Sequence, residues 1–475
     1  MAHLPIYTAR CGKSEPTTVK NDNMFWIIAL IYTLAAAACT VRIAAAGHSP
    51  ATAWAWILVV WLVPVAGMTI YMLAAWQPAT GFVHRGGGRS PVESVITGGC
   101  GAYATEGNSV ALLNDGSEKF PSLIRELHRA RRSIHLEYYI FDDDRIGAAI
   151  AEVLCRKVRA GVSVRLLYDA VGSWRLPSSL VGRLRRAGVE VCTFGRVRFP
   201  WLTPSFNIRN HRKIAVIDGR TAFLGGINIA RRYLDGDELG HWRDEHLRIE
   251  GPAAAYLQRL FAADWHTSGG RPFDLASHIA PDTYAAGGGQ TSGGVRMQIA
   301  WSQTGRTRQT IADAFMAAVM QARQEVLIST PYFVPPQPLL RVLCTAAAGG
   351  VRVRLMMPAR GDMRAASLAG ESYFGQLLAA GIEIYLYDRG FLHSKSMVVD
   401  SRTASVGTAN MDCRSLETNW EVAAFIYDER FARKAASTFR RDLDCCHRLT
   451  LREYEARPLR RRIAENFCRL FSQML

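Results

Sequence analysis

The chain has 475 residues, with 57 Lys plus Arg against 41 Asp plus Glu and a formal charge of +16. That length supports two or three domains with sizeable cores and excludes a peptide hormone, a disulfide-knit mini-protein and a disordered tail. A basic excess over a charged fraction of only 21% favours anionic partners: nucleic acid, acidic lipid headgroups or phosphate-bearing substrates.

In chain order the first features are two uncharged runs, residues 24–41 and residues 53–76, each near the ~20 residues that cross a hydrocarbon layer as a helix. They predict a two-helix transmembrane hairpin, with Pro64 kinking the second helix and Trp26, Trp54, Trp56 and Trp76 near the interfaces. Arg10, Lys13 and Lys20 precede the first run, and Arg85 and Arg89 follow the second. This bias puts both ends, and everything after Trp76, on the cytoplasmic side of the inner membrane. A cleaved signal peptide, or a lipoprotein signal ending at Cys39, is the alternative; a second span close behind argues against both. Residues 1–85 are thus read as a membrane anchor.

Gly-rich stretches around residues 86–101 and 268–294 then bracket two segments of similar length. IHLEYYIF (134–141) answers VLISTPYF (326–333), AGVSVRLLYD (160–169) answers GGVRVRLMMP (349–358), and AGVEVCTF (187–194) answers AGIEIYLY (380–387). Each is a short β-rich run entered from Gly, with helical stretches between. The pattern predicts two α/β lobes related by duplication, 102–268 and 296–450, followed by a C-terminal amphipathic helix over 451–475.

The repeat also carries the chemistry. HRKIAVID contains His211, Lys213 and Asp218 and leads to Gly225, Gly226 and Asn228; HSKSMVVD contains His393, Lys395 and Asp400 and leads to Gly407, Thr408 and Asn410. In an extended strand, residues two apart share a face, so His and Lys of each HxK point toward one ligand. Small residues at Gly226 and Thr408 let backbone N–H groups and the amides of Asn228 and Asn410 approach a phosphate. Paired His, Lys and Asn suit phosphodiester chemistry: one imidazole attacks phosphorus, the other protonates the departing alkoxide, and the cations neutralise the pentacoordinate oxygens. No carboxylate cluster of magnesium-site character accompanies them, so neither metal nor cofactor is expected.

These residues form the double HKD motif of the phospholipase D superfamily. With NIRNHRK (207–213), WRDEHLRIEG (242–251), TPYFV (330–334) and GFLHSK (390–395), the chain resembles a bacterial cardiolipin synthase over essentially its whole length. The resemblance implies two phospholipase D-like α/β lobes with pseudo-twofold symmetry, and a transphosphatidylation of two phosphatidylglycerols to cardiolipin and glycerol through a phosphatidyl-histidine. His211, Lys213, Asp218, His393, Lys395 and Asp400 make up the catalytic set, within which Asp218 and Asp400 are read as holding the turn and strand register. The family also places an acidic residue beyond each motif histidine to orient its imidazole, and Asp244 and Glu421 fall at the matching places. The implied partners are anionic phospholipid and the bilayer, with no nucleic acid and no obligatory protein partner. A membrane-anchored hydrolase or nuclease on the same scaffold is the alternative.

Other features have plainer readings. The ten cysteines show no CxxC or Cys/His ligand spacing, so reduced thiols are expected, and Cys413 reads as a passive small residue. His128, His135, His241 and His246 read as framework histidines. Residues 199–202 (FPWL) either dip into lipid or form an apolar core loop. Leu459, Ile463, Phe467, Leu470, Phe471 and Met474 recur at helical spacing among arginines, as in an interfacial helix or a core-packing one.

Overall fold

The computed structural model describes residues 18–45, 50–74, 86–196, 207–278, 294–304 and 309–472. The chain separates into two compact units, Met1–Trp76 and Gln77–Leu475.

In the first unit one helix, Thr18–Ala45, contains a span, Met24–Ala45, long and apolar enough to cross a membrane. The second uncharged run does not form a single kinked helix. It is broken into Pro50–Leu62 and Ala66–Ala74, because Pro64 cannot continue the hydrogen-bond ladder and Val65 turns left-handed at φ 61°. The pieces share a small packed cluster of Ala36, Cys39, Ile43, Val60 and Tyr71, tied by a Trp61 Nε1–H bond to Thr40 Oγ1 at 2.9 Å. Trp76 and the basic residues Arg10, Lys13 and Arg85 lie outside the described residues.

Among the described residues the second unit is built on one 15-stranded sheet, with four short strands, Trp242–Arg243, Phe333–Val334, Phe391–Leu392 and Met411–Asp412, forming two two-stranded ladders outside it. The first half contributes β1 (Thr105–Leu113), β2 (Ser133–Tyr138), β3 (Ser163–Asp169), β4 (Glu190–Phe194), β5 (Lys213–Ile217), β6 (Thr221–Gly225), the two-residue β7 (Trp242–Arg243) and β8 (His246–Glu250). The second half contributes β9 (Val295–Ser302), β10 (Glu325–Ser329), the short β11 (Phe333–Val334), β12 (Arg352–Pro358), β13 (Glu383–Tyr387) and the short β14 (Phe391–Leu392). It continues through β15 (Ser396–Val399), β16 (Thr403–Gly407), the short β17 (Met411–Asp412), β18 (Glu421–Ile426) and β19 (Cys446–Leu449). The halves join where β1 pairs antiparallel with β9. Outward from that seam the order is β8, β6, β5, β2, β3, β4 on one side and β18, β16, β15, β10, β12, β13, β19 on the other.

The three β-rich runs of each half are the parallel strands β2, β3, β4 and β10, β12, β13. Helices such as Arg145–Arg159 and Gln337–Ala348 supply their crossovers, as parallel pairing requires. Both faces of the sheet are covered, and the motif strands β5 and β6 are buried at every residue, which is why they read as apolar runs. Residues 199–202 and Met474 lie outside the described residues.

Candidate active site

Two hairpins position the motif residues. β5 leads into β6 and β15 into β16, and each connecting turn starts with an aspartate in the left-handed region, Asp218 at φ 52° and Asp400 at φ 51°. Asp218 Oδ1 accepts from the backbone N–H groups of Arg132 (2.7 Å) and Ser133 (2.9 Å), and Asp400 Oδ1 from those of Gln324 (2.7 Å) and Glu325 (2.9 Å). Each aspartate therefore fastens its hairpin to the start of the neighbouring strand, β2 or β10. Neither lines the cavity that holds the histidines; their contacts lie at the turn and the strand register, the part read for them within the motif.

At the other end of these strands His211 and His393 line one cavity of about 200 Å³. The cavity is closed by residues from both halves, among them Tyr139, Asn228 and Tyr233 from the first and Tyr332, Asp362 and Asn410 from the second. A larger open groove of about 1,100 Å³ runs beside β4 and contains none of the motif residues. The titratable groups converge on the smaller cavity, which makes it the candidate active site.

Each imidazole is held through Nδ1 by a carboxylate of the opposite half. His211 Nδ1 lies 2.9 Å from Glu421 Oε1, and His393 Nδ1 lies 2.6 Å from Asp244 Oδ2. The expectation that each acid serves the histidine of its own half is thus corrected to a crossed arrangement. Its cause is local strand pairing: Asn210 bridges Trp420 in parallel, so the next residues, His211 and Glu421, face each other. Leu392 of β14 pairs in parallel with Arg243 of β7, so His393 and Asp244 follow in register. With Nδ1 engaged, Nε2 is the nitrogen left to each ring for reaction.

Gly226 and Thr408 also take a different part from phosphate binding, since both stand behind the acids. A Cβ on Gly226 would meet Asp244 Oδ1 at 2.1 Å, so only glycine leaves room for that carboxylate. The fully buried Thr408 hydroxyl donates to Glu421 Oε2 at 2.5 Å. Asn228 and Asn410 do line the cavity. Asn228 is braced at both ends of its amide: Oδ1 accepts from Ile140 N–H at 3.0 Å, and Nδ2 donates to Tyr233 Oη at 2.7 Å. That leaves one Nδ2 hydrogen for a ligand.

Lys213 and Lys395 are buried, each donating from Nζ to the carbonyl of its motif histidine. Burial lowers Lys213 to about 7 and Lys395 to about 8, opposed by the Glu421 and Asp244 carboxylates. Burial takes His211 down to about 4 against the pull of Glu421, and burial with the neighbouring ammonium groups of Lys395 and Lys213 takes His393 well below its usual range. The acids diverge. Burial raises Asp244 to about 6 in spite of Lys395, whereas in Glu421 the effect of burial is outweighed by His211 and Lys213 and the carboxyl ends lowered. Lys213 and Lys395 are not in the lining of the cavity, and a phosphate anion bound there favours their charged forms through the field it adds.

Sequence reasoning missed several residues. Arg212, between His and Lys of the first motif, is fully buried; it donates from Nε to the Glu421 carbonyl (3.2 Å) and from Nη2 to the Ser302 carbonyl (3.0 Å), and pairs with Asp264. It therefore ties the first motif to the second half. Tyr139 stands edge-on to His211, with ring centroids 4.9 Å apart, and Trp242 and Phe391 enclose His393. The strings around the motifs contained these aromatics, but nothing local said which imidazole they flank. His135 is a framework residue, stacked on Phe261, and so is His246, which accepts from Ile227 N–H.

Comparison with known proteins places this arrangement among relatives. The family model described as "Cardiolipin synthase, PLD-like domain" matches residues 123–265 and 315–443, and that described as "Phospholipase_D-nuclease N-terminal" matches residues 24–76. A cardiolipin synthase of Geobacillus kaustophilus is 42% identical over 369 residues, 78% of this chain and 72% of that one. Cardiolipin synthase 2 of Bacillus anthracis is 43% identical over 76% of this chain and 70% of its own length. The major cardiolipin synthase of Bacillus subtilis is 40% identical over 79% and 77%. Among solved structures, phosphatidylserine synthase of Haemophilus influenzae shares the fold with a TM-score of 0.57 at 16% identity, covering 77% of this chain and 95% of that one.

Proposed function

The chain belongs to the cardiolipin synthase family of phospholipase D-like phosphatidyltransferases, and from that membership we propose how its own residues carry the transfer. His211 attacks the phosphorus of one phosphatidylglycerol, the bond from phosphorus to the glycerol headgroup oxygen breaks, and His393 gives that oxygen a proton. His393 then takes the proton from a glycerol hydroxyl of a second phosphatidylglycerol, whose oxygen displaces His211 and completes cardiolipin. Lys213, Lys395, Asn228 and Asn410 hold the phosphate oxygens, while Asp244 and Glu421 fix the tautomers and steady the imidazolium forms.

The observation that carries this reading is the crossed clamp: two imidazoles on one cavity, each held at Nδ1 by an acid of the other half. The assignment of roles draws on the charges. With Glu421 lowered and His211 near 4, the carboxylate is ionised and the imidazole neutral at neutral pH, its one proton held at Nδ1 and Nε2 ready to attack. Asp244 is raised to about 6, so the His393–Asp244 pair takes up a further proton as the pH falls toward 6, held on the carboxyl beside His393, and the acid step is assigned to that pair.

We also infer that the lobes 102–268 and 296–450 are related by a pseudo-twofold axis at the β1–β9 seam. The matching strand order outward from that seam and the matching Asp218 and Asp400 locks support it. The N-terminal apolar helices are read as a multi-pass inner-membrane anchor with the lobes on the cytoplasmic side, and phosphatidylglycerol in that bilayer as the substrate.

The full-length enzyme given phosphatidylglycerol should yield cardiolipin and one glycerol per turnover; phosphatidic acid alone would identify a hydrolase instead. His211→Ala and His393→Ala should each lower turnover by at least roughly 10⁴-fold. In His393→Ala a phosphatidyl group should accumulate on His211, detected by mass. An adduct on His393 in His211→Ala, with none in the converse variant, reverses the roles.

A further inference from the structure

The helix Leu459–Arg469 is turned inside out relative to a soluble surface helix. The residue it buries against the body is Glu465, 1% exposed, which pairs with Arg457 at 3.0 Å and Arg461 at 3.4 Å; Arg461 in turn reaches Glu371 at 2.7 Å. Its large apolar side chains face away. Leu459 (69%), Ile463 (61%), Phe467 (60%), Leu470 (78%) and Phe471 (44%) are exposed, and their three- and four-residue spacing puts them on one stripe. A helix held by ion pairs while presenting a continuous apolar stripe is ordered for something that covers the stripe.

Charge says what that is. Arg460 and Arg462 are exposed and fall on opposite sides of the stripe, so the apolar residues lie between guanidinium groups. An apolar stripe between cations is the pattern of a helix lying in the headgroup layer of an anionic bilayer. Position gives it a use. The helix packs on Arg364–Glu371, and the residues just before that helix, Asp362 and Met363, line the catalytic cavity.

We propose that Leu459–Arg469, with Leu470 and Phe471, is an interfacial helix that seats the wall of the catalytic cavity on anionic phospholipid. This rests on the lipid substrate of the proposed function only for its purpose; the contact itself is independent of turnover.

The test uses the full chain reconstituted in vesicles, with the photoreactive residue benzoylphenylalanine in place of Phe467, or of Glu455 as a control. Glu455 is also exposed, on the neighbouring helix Leu451–Glu455. In phosphatidylglycerol vesicles, the position of Phe467 should give a lipid adduct by mass at roughly ten times the control yield, a ratio that falls in pure phosphatidylcholine. Because an exposed Phe is exchanged for a larger aromatic, folding is not at risk. Equal yields at the two positions, or an adduct to a second protein chain, overturn the proposal.

A second arm reads activity. Ile463→Asp combined with Phe467→Asp should raise KM for phosphatidylglycerol in bilayers roughly tenfold, while kcat on short-chain phosphatidylglycerol below its micelle limit stays unchanged. Unchanged KM in bilayers overturns the proposal; failure to form cardiolipin from either substrate in the parent protein overturns the proposed function and leaves the cross-link result intact.

Discussion

The first and second halves place the same residue types at the same spacing and give them different surroundings. Behind Asp244 there is Gly226, too small to do more than leave space; behind Glu421 there is Thr408, whose hydroxyl donates to the carboxylate. Asp244 keeps one backbone donor, Glu245 N–H at 2.7 Å, beside its histidine, and its carboxyl rises to about 6, while Glu421 ends below its usual value. A duplicated motif therefore need not give duplicate charge states. Burial sets Asp244 high, whereas at Glu421 His211 and Lys213 outweigh burial and the Thr408 hydroxyl adds to them, and a two-step transfer needs one imidazole ready to attack and one able to donate.

The sharpest way to break this comparison is to neutralise each acid in turn. Glu421→Gln and Asp244→Asn should each lower kcat roughly 10²- to 10⁴-fold, as tautomer control is lost. Labelled-histidine NMR should show Glu421→Gln moving the titration of His211 and Asp244→Asn that of His393. The reverse pairing would refute the crossed clamp.

The backing residues come next. Gly226→Ala drives a methyl group into Asp244 and should cost roughly 100-fold in kcat/KM. Thr408→Val, which removes one donor from a buried carboxylate, should cost stability of about 1–3 kcal/mol and less activity. If the two variants behave alike in thermal melts and kinetics, the asymmetry between the halves is not real.

Asp218→Ala and Asp400→Ala should resemble each other, since both locks make the same contacts. A loss of about 1–3 kcal/mol in denaturant unfolding is expected for each, with near-parental turnover per folded molecule.

The smallest effect is read against pH. Lys213 and Lys395 titrate near 7 and 8 when folded but near 10.5 when unfolded. The unfolded chain thus binds more protons in that window, so stability contributed by these sites rises with pH from about 7 upward. Their charge in the folded cavity disappears over the same range. Between about pH 7 and 9, KM for phosphatidylglycerol should therefore rise while Tm does not fall, and a phosphate analogue should bind with proton uptake. Lys213→Met should melt higher than the parent while losing activity.

Much of the fold was legible in the sequence because its information is local. Strand runs entered from Gly at 160–169 and 349–358, and the extended segments that carry each HxK, are signalled by nearby residues alone, and β3, β12, β5 and β15 formed there. The second apolar run was misjudged at Pro64, where the chain broke the helix outright. The site was legible as a set of residue types, but the work of Asp218 depends on backbone donors far away in sequence, and that of Gly226 and Thr408 on how Asp244 and Glu421 fold back against them.

The sequence by itself determined the duplicated His, Lys and Asp motifs, the alternation of strands and helices, and the family, because short-range spacing and repetition are written in residue order. Only the tertiary structure decided which acid holds which imidazole. That choice is made by the short parallel pairings of Asn210 with Trp420 and of Leu392 with Arg243, each joining the two halves of the chain. The shifted titration of His211, His393, Lys213, Lys395, Asp244 and Glu421 followed from the same packing, since burial and neighbouring ions move where a proton rests.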